Sequence, residues 1–170
     1  MTKITKAIGS EELAARITAL GQEIRDDAGD EPLFLLGILK GASVFLSDLL
    51  RAIPGEVAYG FIDVIRDEAD THTATALEID FLRHIDIAGR NVYVLKDVVS
   101  TGIIENYLMA QLRLHRPSSL KLVALLDRPS LRTLDLATDF HAFEAGDGSF
   151  VGYGLELEER WGNLPWIGTV

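Results

Sequence analysis

Hydrophobic residues along this chain follow two patterns in alternation, one typical of amphipathic helices and one typical of buried strands. Residues 10–28 carry apolar side chains at helical spacing, and Ser10 is predicted to cap that helix. The run LFLLGI at 33–38 is apolar throughout, which predicts a strand buried on both faces, and residues 44–53 predict a helix directly after it. The first third of the chain is therefore predicted as helix, strand and helix.

The rest of the chain continues this alternation. Further strands are predicted at VAYGFIDV (57–64), ALEIDF (76–81), NVYVL (91–95) and LKLVALL (120–126), and a helix at 103–115. TDFHAF and FVGYGLEL are short strand candidates near the C-terminus, and the polar RDEADTHTAT (66–75) is predicted to be a long, mobile loop. Strands that alternate with helices predict an α/β fold with a mostly parallel sheet flanked by helices, and ligands are expected at the carboxyl ends of its strands.

Composition narrows the class of protein. The 170 residues are 48% hydrophobic, which is enough for one sizeable core, so a single domain is predicted over residues 1–170. No apolar run approaches the roughly 20 residues that cross a bilayer, and no signal peptide is evident, so a soluble cytoplasmic protein is predicted. The formal net charge of −10, with scattered basic residues, argues against nucleic acid or an acidic membrane as a partner.

The segment KDVVSTGII at 96–104 is the first candidate for chemistry. It places Lys96 and Asp97 at the end of a central strand, and Ser100, Thr101 and Gly102 in the turn before a helix. Successive backbone N–H groups at the positive end of a helix favour a phosphate group. Taken alone, the same pattern also fits an ordinary connection between a strand and a helix.

Three further stretches carry candidate residues. Lys40 and Gly41 follow the strand at 33–38, where a glycine lets the backbone approach an anion and a lysine neutralises it, although a lone turn lysine is more often simply exposed. Asp127 and Arg128 follow the strand at 120–126. Glu156 is a candidate ligand for a hard divalent cation, but it stands in an acidic run of the kind that usually forms a solvated surface.

Together these stretches resemble one known family. LKG, KDVVSTG, LLDRPS and FVGYGLELEERWGNLPWIG are similar in order and spacing to the hypoxanthine-guanine phosphoribosyltransferases, from about residue 33 to residue 170. The resemblance implies the type I phosphoribosyltransferase fold, a parallel sheet between helices with a small hood. It also implies the transfer of ribose 5-phosphate from phosphoribosyl pyrophosphate to a purine base, with magnesium bound, by a homodimer or homotetramer.

The resemblance assigns roles to five residues around the sugar and its phosphates. Lys40 and Gly41 match the turn that contacts pyrophosphate in that family. Asp97 matches the second of two adjacent acids that hold the ribose hydroxyls. Thr101 and Gly102 match the turn that binds the 5-phosphate.

The base site is matched less completely. Residues 151–154 match the segment that lines it, and Arg128 stands where a lysine reaches the exocyclic oxygen of the purine. Arginine keeps the charge and the donors at that position but changes their shape. Ser149 falls where an aromatic ring stacks on the base, and Phe150 beside it is the candidate to replace that ring.

Five positions depart from the chemistry that the resemblance implies. Lys96 replaces the first ribose acid, and Ser100 replaces the aspartate that acts as general base on the purine. Ile104 replaces a threonine of the phosphate turn, and Gly162 replaces an arginine that contacts pyrophosphate. Glu156 replaces an aspartate at the magnesium position. The segment FIDVIRDEAD also lacks the Ser-Tyr pair with which the family closes over its substrate.

Three hypotheses follow from these matches and departures. The first is a purine phosphoribosyltransferase with altered base preference and reduced turnover. The second is a catalytically silent paralogue that retains nucleotide or pyrophosphate binding. The third is an enzyme for an acceptor nitrogen that needs no base to deprotonate it. Lys96 is hypothesised to pair with Asp97 or a neighbouring carboxylate and to block the ribose site.

Overall fold

A computed structural model describes residues 3–66, 77–80 and 86–170 of the chain. The described helices, apart from a single 3-10 turn at Pro129–Leu131, are α1 (Ser10–Ala28), α2 (Ser43–Ala52) and α3 (Ile103–Arg113). The described strands are β1 (Thr5–Ile8), β2 (Leu33–Ile38), β3 (Val57–Arg66), β4 (Leu77–Asp80), β5 (Asn91–Val99), β6 (Ser119–Asp127), β7 (Phe140–Glu144), β8 (Phe150–Val151) and β9 (Ile167–Thr169).

The larger sheet has six strands in the order β4-β3-β2-β5-β6-β7. Strands β3, β2, β5, β6 and β7 run parallel, and only the edge strand β4 pairs antiparallel. This arrangement confirms the predicted α/β fold with a mostly parallel sheet. Helix α2 lies between β2 and β5 in the sequence, and α3 lies between β5 and β6, so each connection returns the chain to the end of the sheet where the next parallel strand begins. The carboxyl ends of β2, β5 and β6 are therefore neighbours.

Two apolar cores cover the two faces of this sheet. Along β2, Leu35 belongs to the core beneath α1 and α2, whereas Leu36 belongs to the core beneath α3. Both leucines are fully buried, as the uninterrupted apolar run at 33–38 predicts for a strand covered on both faces. The middle of the sheet is therefore packed on both faces.

The start of α1 differs from the prediction by one residue. Gly9, with an extended backbone, is the N-cap, and Ser10 is the first helical residue and makes no capping hydrogen bond. The N–H of Leu13 donates to the Gly9 carbonyl at 2.9 Å, which closes the first turn one residue earlier than a Ser10 cap allows. The prediction of Ser10 as the cap is therefore wrong.

A second, smaller sheet is built from both ends of the chain, in the order β1-β9-β8. The sequence patterns do not predict β1 or β9, and FVGYGLEL forms a strand only at Phe150–Val151. Gly152 ends that strand, because its φ of 94° is a left-handed value and a Cβ there would lie 2.0 Å from the Trp166 carbonyl oxygen. This sheet corresponds to the hood that the resemblance implies.

Parts of the predicted loops fall on residues that the structure does not describe. Apart from Arg66, the predicted loop RDEADTHTAT lies outside the described residues, and so do the last four residues of FIDVIRDEAD. None of the described helices is long and apolar enough to span a membrane.

Candidate active site at the carboxyl edge of the sheet

The candidate residues lie in loops that follow three neighbouring strands. Lys40 and Gly41 follow β2, Ser100 to Gly102 follow β5, and Arg128 follows β6. The register pairs Gly37 with Leu95 and Val99 with Asp127, so these three strands end at one edge of the sheet. The fold thus gathers residues that are distant in sequence, as the sequence analysis predicts for a parallel sheet.

The tightest contact at this edge joins Gly41 to Asp97. A Cβ on residue 41 would lie 1.8 Å from Oδ2 of Asp97, so no side chain fits there. On the other side of the same turn, a Cβ on Gly154 would lie 2.9 Å from the Gly41 carbonyl oxygen. The turn is therefore held between the Asp97 carboxylate and the segment that enters the hood, and glycine is required at both contacts.

The turn after β5 presents unpaired amide groups at the start of α3. Gly102 is the N-cap residue, with a left-handed φ of 82°. Among the described residues, the N–H groups of Thr101, Gly102, Ile104 and Glu105 donate to no backbone carbonyl, and Ile103 reaches only the Thr101 hydroxyl at 3.5 Å. Successive unpaired amides at the positive end of a helix form an anion-binding cradle.

A buried ion pair supports this turn from the side of β6. Arg132 pairs with Asp127, and its side chain and that of Asp127 are only 10% and 8% exposed. Arg132 also donates to the Ser100 carbonyl at 2.8 Å, and Thr138 donates to Asp127 at 2.8 Å. The backbone at Ser100 is therefore fixed by a network that lies beneath the amide cradle.

Two lysines at the site are paired with carboxylates. Lys96 forms an ion pair with Asp97, its neighbour in sequence, and both side chains are mostly buried. Lys40 Nζ lies 2.7 Å from Glu156 Oε2. The hydrogen bond with Glu156, followed by its negative charge, raises the pKa of Lys40 above its ordinary value, so this lysine is a cation at neutral pH.

Arg128 and Phe150 meet at the side of the site nearest the hood. The guanidinium carbon of Arg128 lies 5.6 Å from the centroid of the Phe150 ring, which is cation–π geometry. Arg128 Nη2 is 3.7 Å from the exposed Asp147, a long contact, and its buried Nε has no partner among the described residues. A buried donor without a partner suits a ligand that brings an acceptor oxygen. Ser149, next to Phe150, is exposed.

The segment 152–162 has an unusual backbone that is tied to the rest of the fold. Tyr153, Glu158, Glu159 and Trp161 all have positive φ. The Tyr153 N–H donates to Leu164 at 2.8 Å, and its hydroxyl donates to Asp48 of α2 at 2.6 Å. Burial, reinforced by this hydrogen bond, raises the pKa of Tyr153 well above its usual range. Strained backbone of this kind concentrates at ligand sites, where the surroundings hold it in place.

Comparison with known proteins decides the family. Residues 5–157 match the model of the phosphoribosyl transferase domain. The chain is 34% identical over 165 residues to the hypoxanthine-guanine phosphoribosyltransferase of Bacillus subtilis, covering 96% of this chain and 91% of that protein. This chain belongs to the hypoxanthine-guanine phosphoribosyltransferase family. The resemblance seen in its sequence motifs is confirmed.

Solved structures of family members share the fold closely. A hypoxanthine phosphoribosyltransferase from Staphylococcus aureus has a TM-score of 0.91 and 30% identity, covering 98% of this chain and 90% of that one. The enzyme from Trypanosoma cruzi, solved as a ternary complex with substrates, has a TM-score of 0.89 and 27% identity, covering 97% and 94%. The predicted phosphoribosyltransferase fold is therefore confirmed as well.

The structure brings the family's motif positions together but leaves their roles as predictions. Lys40, Gly41, Asp97, Glu156 and the 101–105 turn lie along one edge, and Arg128 and Phe150 adjoin it. Among the described residues, no group of three or more His, Cys, Asp or Glu side chains forms a metal-binding cluster. Glu156, the residue at the predicted metal position, is already paired with Lys40.

Sequence reasoning missed the positioning residues behind the site. No motif in the sequence points to Arg132 as a site residue, and Asp127 is predicted only to follow a strand. Their ion pair nevertheless holds the Arg132 side chain where it donates to the Ser100 carbonyl. The short 3-10 helix at Pro129–Leu131 turns the chain so that Arg132 points back to Asp127. In the sequence, Asp127 and Arg132 are the two ends of the segment DRPSLR. Their spacing matches neither a helical nor a strand period, so it does not predict that the two side chains meet.

Proposed function

We propose that this protein is a purine phosphoribosyltransferase of the hypoxanthine and guanine class, with turnover reduced by the loss of a general base. The observation that carries the proposal is the contact of Asp97 with Gly41. It joins the residue that would hold the ribose hydroxyls to the turn that would contact pyrophosphate, and the bond that breaks in this reaction lies between those two groups. The contact therefore supports a site in which the donor sugar and its leaving group are held side by side.

The 5-phosphate of the donor would be held by the unpaired amides of residues 101–105. Ile104 lacks the hydroxyl that the family uses in this turn, so backbone groups carry the binding. Their geometry is fixed in advance by Arg132 through the Ser100 carbonyl. Preorganised donors lose little free energy to rearrangement when the ligand arrives, and this offsets part of the missing side-chain contact.

The reaction itself breaks the bond from C1′ of the ribose to the pyrophosphate oxygen and forms a bond from C1′ to a purine nitrogen. The purine gives up a proton to water in this step, because Ser100 is a poor acceptor, and pyrophosphate leaves with the bonding electrons. Lys40 and the amides of the Lys40–Gly41 turn would stabilise the charge on the leaving group. Arg128, with an unpaired buried Nε, would bind the exocyclic oxygen of the base.

Proton transfer is the weakest part of this site. Ser100 stands at the general-base position, and a neutral hydroxyl accepts a proton poorly at neutral pH. Loss of a general base commonly lowers a rate by about a hundredfold to ten-thousandfold, which leaves a slow enzyme rather than none. Arg128 favours an acceptor that gives up its proton readily, because a guanidinium beside the base stabilises the negative charge that then forms.

The described residues do not fit a magnesium ion held by the protein. Magnesium binds oxygen ligands, usually one or two carboxylates together with substrate phosphates and water. Among the described residues, Asp97 and Glu156 are the carboxylates beside the Lys40–Gly41 turn, and each is already paired with an ammonium group. We therefore derive no step of the reaction through a metal ion. The cytoplasmic location, which the sequence composition predicts, and the homo-oligomer, which the resemblance implies, stay predictions.

The test of this proposal is nucleotide formation, followed by liquid chromatography and mass spectrometry. Purified protein is mixed with phosphoribosyl pyrophosphate, magnesium and hypoxanthine, guanine, xanthine, adenine and pyrimidine bases. A purine monophosphate formed from a 6-oxopurine supports the proposal, and its mass names the acceptor. If folded protein at high concentration forms no nucleotide, the silent paralogue that only binds nucleotide or pyrophosphate replaces this proposal.

A further inference from the structure

We propose that Lys96 takes the place of a divalent cation at this site, so that the protein binds a diphosphate group without a metal ion. The inference rests on the proposed function, because it concerns how the same site holds the leaving group. It starts from the two ion pairs, Lys96 with Asp97 and Lys40 with Glu156, that flank the Lys40–Gly41 turn.

The formal charge of these four side chains is the first argument. Two lysines and two carboxylates leave no net charge, whereas an acid at position 96 would leave a charge of −2 beside the turn. A diphosphate carries several negative charges, and a site with that extra negative charge needs a cation to hold it. Lys96 removes the need for a metal ion, because its ammonium group neutralises one of the two carboxylates and, unlike an acid at this position, is not a metal ligand.

The position of Lys96 is the second argument. Its side chain is 20% exposed and that of Asp97 is 19% exposed, so the ammonium is largely shielded from water but remains reachable. An ammonium has three N–H donors, and among the described residues Asp97 is the side-chain acceptor that Lys96 uses. Lys96 therefore keeps donors for a phosphate oxygen while it is held in place by Asp97.

The backbone of the adjoining turn is the third argument. Among the described residues, the N–H groups of Lys40 and Gly41 donate to no backbone carbonyl, although those of Leu39, Ala42 and Ser43 all do. Unpaired amides of this kind are satisfied by water or by a ligand. Gly41 touches Asp97, which carries Lys96 on its other oxygen. Two ammonium groups and two amides thus surround one turn, a combination that suits a diphosphate.

The experiment is calorimetric titration of inorganic pyrophosphate into the whole protein, in EDTA and in magnesium. We expect dissociation constants in the two buffers that agree within about threefold. We expect Lys96→Met to weaken binding in EDTA by about tenfold to a hundredfold, as for other charge-assisted hydrogen bonds. Lys96→Arg keeps the charge and should retain binding in EDTA, and Lys96→Glu should bind only when magnesium is present.

Lys121→Met is the matched control. Lys121 also forms a half-buried ion pair, with Asp27, but it lies near the start of β6, away from the carboxyl edge. This variant should bind pyrophosphate as the unaltered protein does. Circular dichroism of every variant establishes that it is folded before it is titrated.

Two outcomes overturn the inference. One is binding to the unaltered protein that is absent in EDTA, or that strengthens by more than about threefold when magnesium replaces EDTA. The other is binding that appears only when Lys96 is removed, which would mean that the lysine blocks the site. Failure of the proposed function is distinguishable, because a protein that binds pyrophosphate in EDTA but forms no nucleotide keeps this inference and loses the enzymatic activity.

Discussion

The side chain of Glu156 lies across Gly162. A Cβ on residue 162 would sit 2.8 Å from Glu156 Cγ and 3.2 Å from its Oε1. From this position Glu156 reaches Lys40, whose Nζ is 2.7 Å from Oε2. The two departures from the family at positions 156 and 162 are therefore linked, because the space that a larger residue at 162 would need is the space over which Glu156 lies.

This contact predicts a coupling between the two positions. Gly162→Ala should lower the free energy of unfolding by about 1 kcal/mol, because the new Cβ displaces the Glu156 side chain from its place over residue 162 and from Lys40. The same substitution in a Glu156→Ala background meets no such contact and should be neutral or stabilising by a few tenths of a kcal/mol, as for other glycines in ordinary backbone. Urea unfolding of the four proteins gives the coupling directly, and a value of zero contradicts the contact.

The Arg132–Asp127 pair predicts a second effect on stability. Removing one partner of a buried ion pair leaves the other charge uncompensated, so Arg132→Met should cost about 3 kcal/mol in urea unfolding. Arg51 is the matched control, since it also pairs with an aspartate but its side chain is 71% exposed. Arg51→Met should cost less than about 1 kcal/mol. Equal losses in the two variants would show that Arg132 has no special role beneath the turn.

Ser100 predicts a gain of activity on substitution. Ser100→Asp restores a group that accepts a proton at neutral pH, so the rate of nucleotide formation should rise by about tenfold or more. Ser100→Asn is the control, because it has a similar shape and no basic carboxylate. If Ser100→Asp is no faster than Ser100→Asn, then proton transfer to this position does not limit the rate, and an acceptor that needs no base is favoured.

The pH dependence of stability contains a contribution from Asp27. Burial by itself raises its pKa, but hydrogen bonds from Lys121 and Tyr93 outweigh burial and hold the pKa below the ordinary value of 3.8. A carboxylate with a depressed pKa stabilises the fold above its unfolded pKa, and this contribution is lost as the pH falls through the folded pKa. Asp27→Asn should therefore be less stable than the unaltered protein near neutral pH.

That difference should shrink as the pH falls from about 3.8, where the unfolded chain takes up the proton, through the lower pKa of Asp27 in the folded protein. Urea unfolding over this pH range measures it. Asp26→Asn is the control, because Asp26 is exposed and its side-chain hydrogen bond among the described residues is with the exposed Gln22. A difference between Asp27→Asn and the unaltered protein that persists unchanged to low pH would contradict the assignment.

The parts of the fold that sequence patterns predict are those governed by local periodicity. The run at 33–38 and the spacing of Leu13, Ile17 and Leu20 give the boundaries of β2 and α1 to within a residue. The strands β1 and β9 were not predicted, because each has four residues or fewer and pairs with the opposite end of the chain. No pattern within so short a run specifies a partner that distant.

The candidate site likewise contains some contacts that the sequence predicts and others that it does not. Gly41 follows β2 and Asp97 lies near the end of β5, so both are placed by the topology, and a parallel sheet predicts that they meet. The contact of Arg132 with Ser100 depends on the path of a 3-10 turn, and that of Glu156 with Gly162 depends on a segment with repeated positive φ. Such contacts follow from tertiary packing and leave no periodic signal in the sequence.

The most direct test of the enzymatic assignment compares the unaltered protein with Gly41→Ala, both shown to be folded, in nucleotide formation from phosphoribosyl pyrophosphate and 6-oxopurines. A Cβ at position 41 would lie 1.8 Å from the Asp97 carboxylate, so this single methyl group would separate the proposed pyrophosphate turn from the proposed ribose-binding acid. The unaltered protein should form a purine monophosphate, and Gly41→Ala should be slower by about a hundredfold, as expected when reacting groups are displaced by about 1 Å. Equal rates in the two proteins, or no nucleotide from the unaltered protein with any 6-oxopurine, would contradict the assignment.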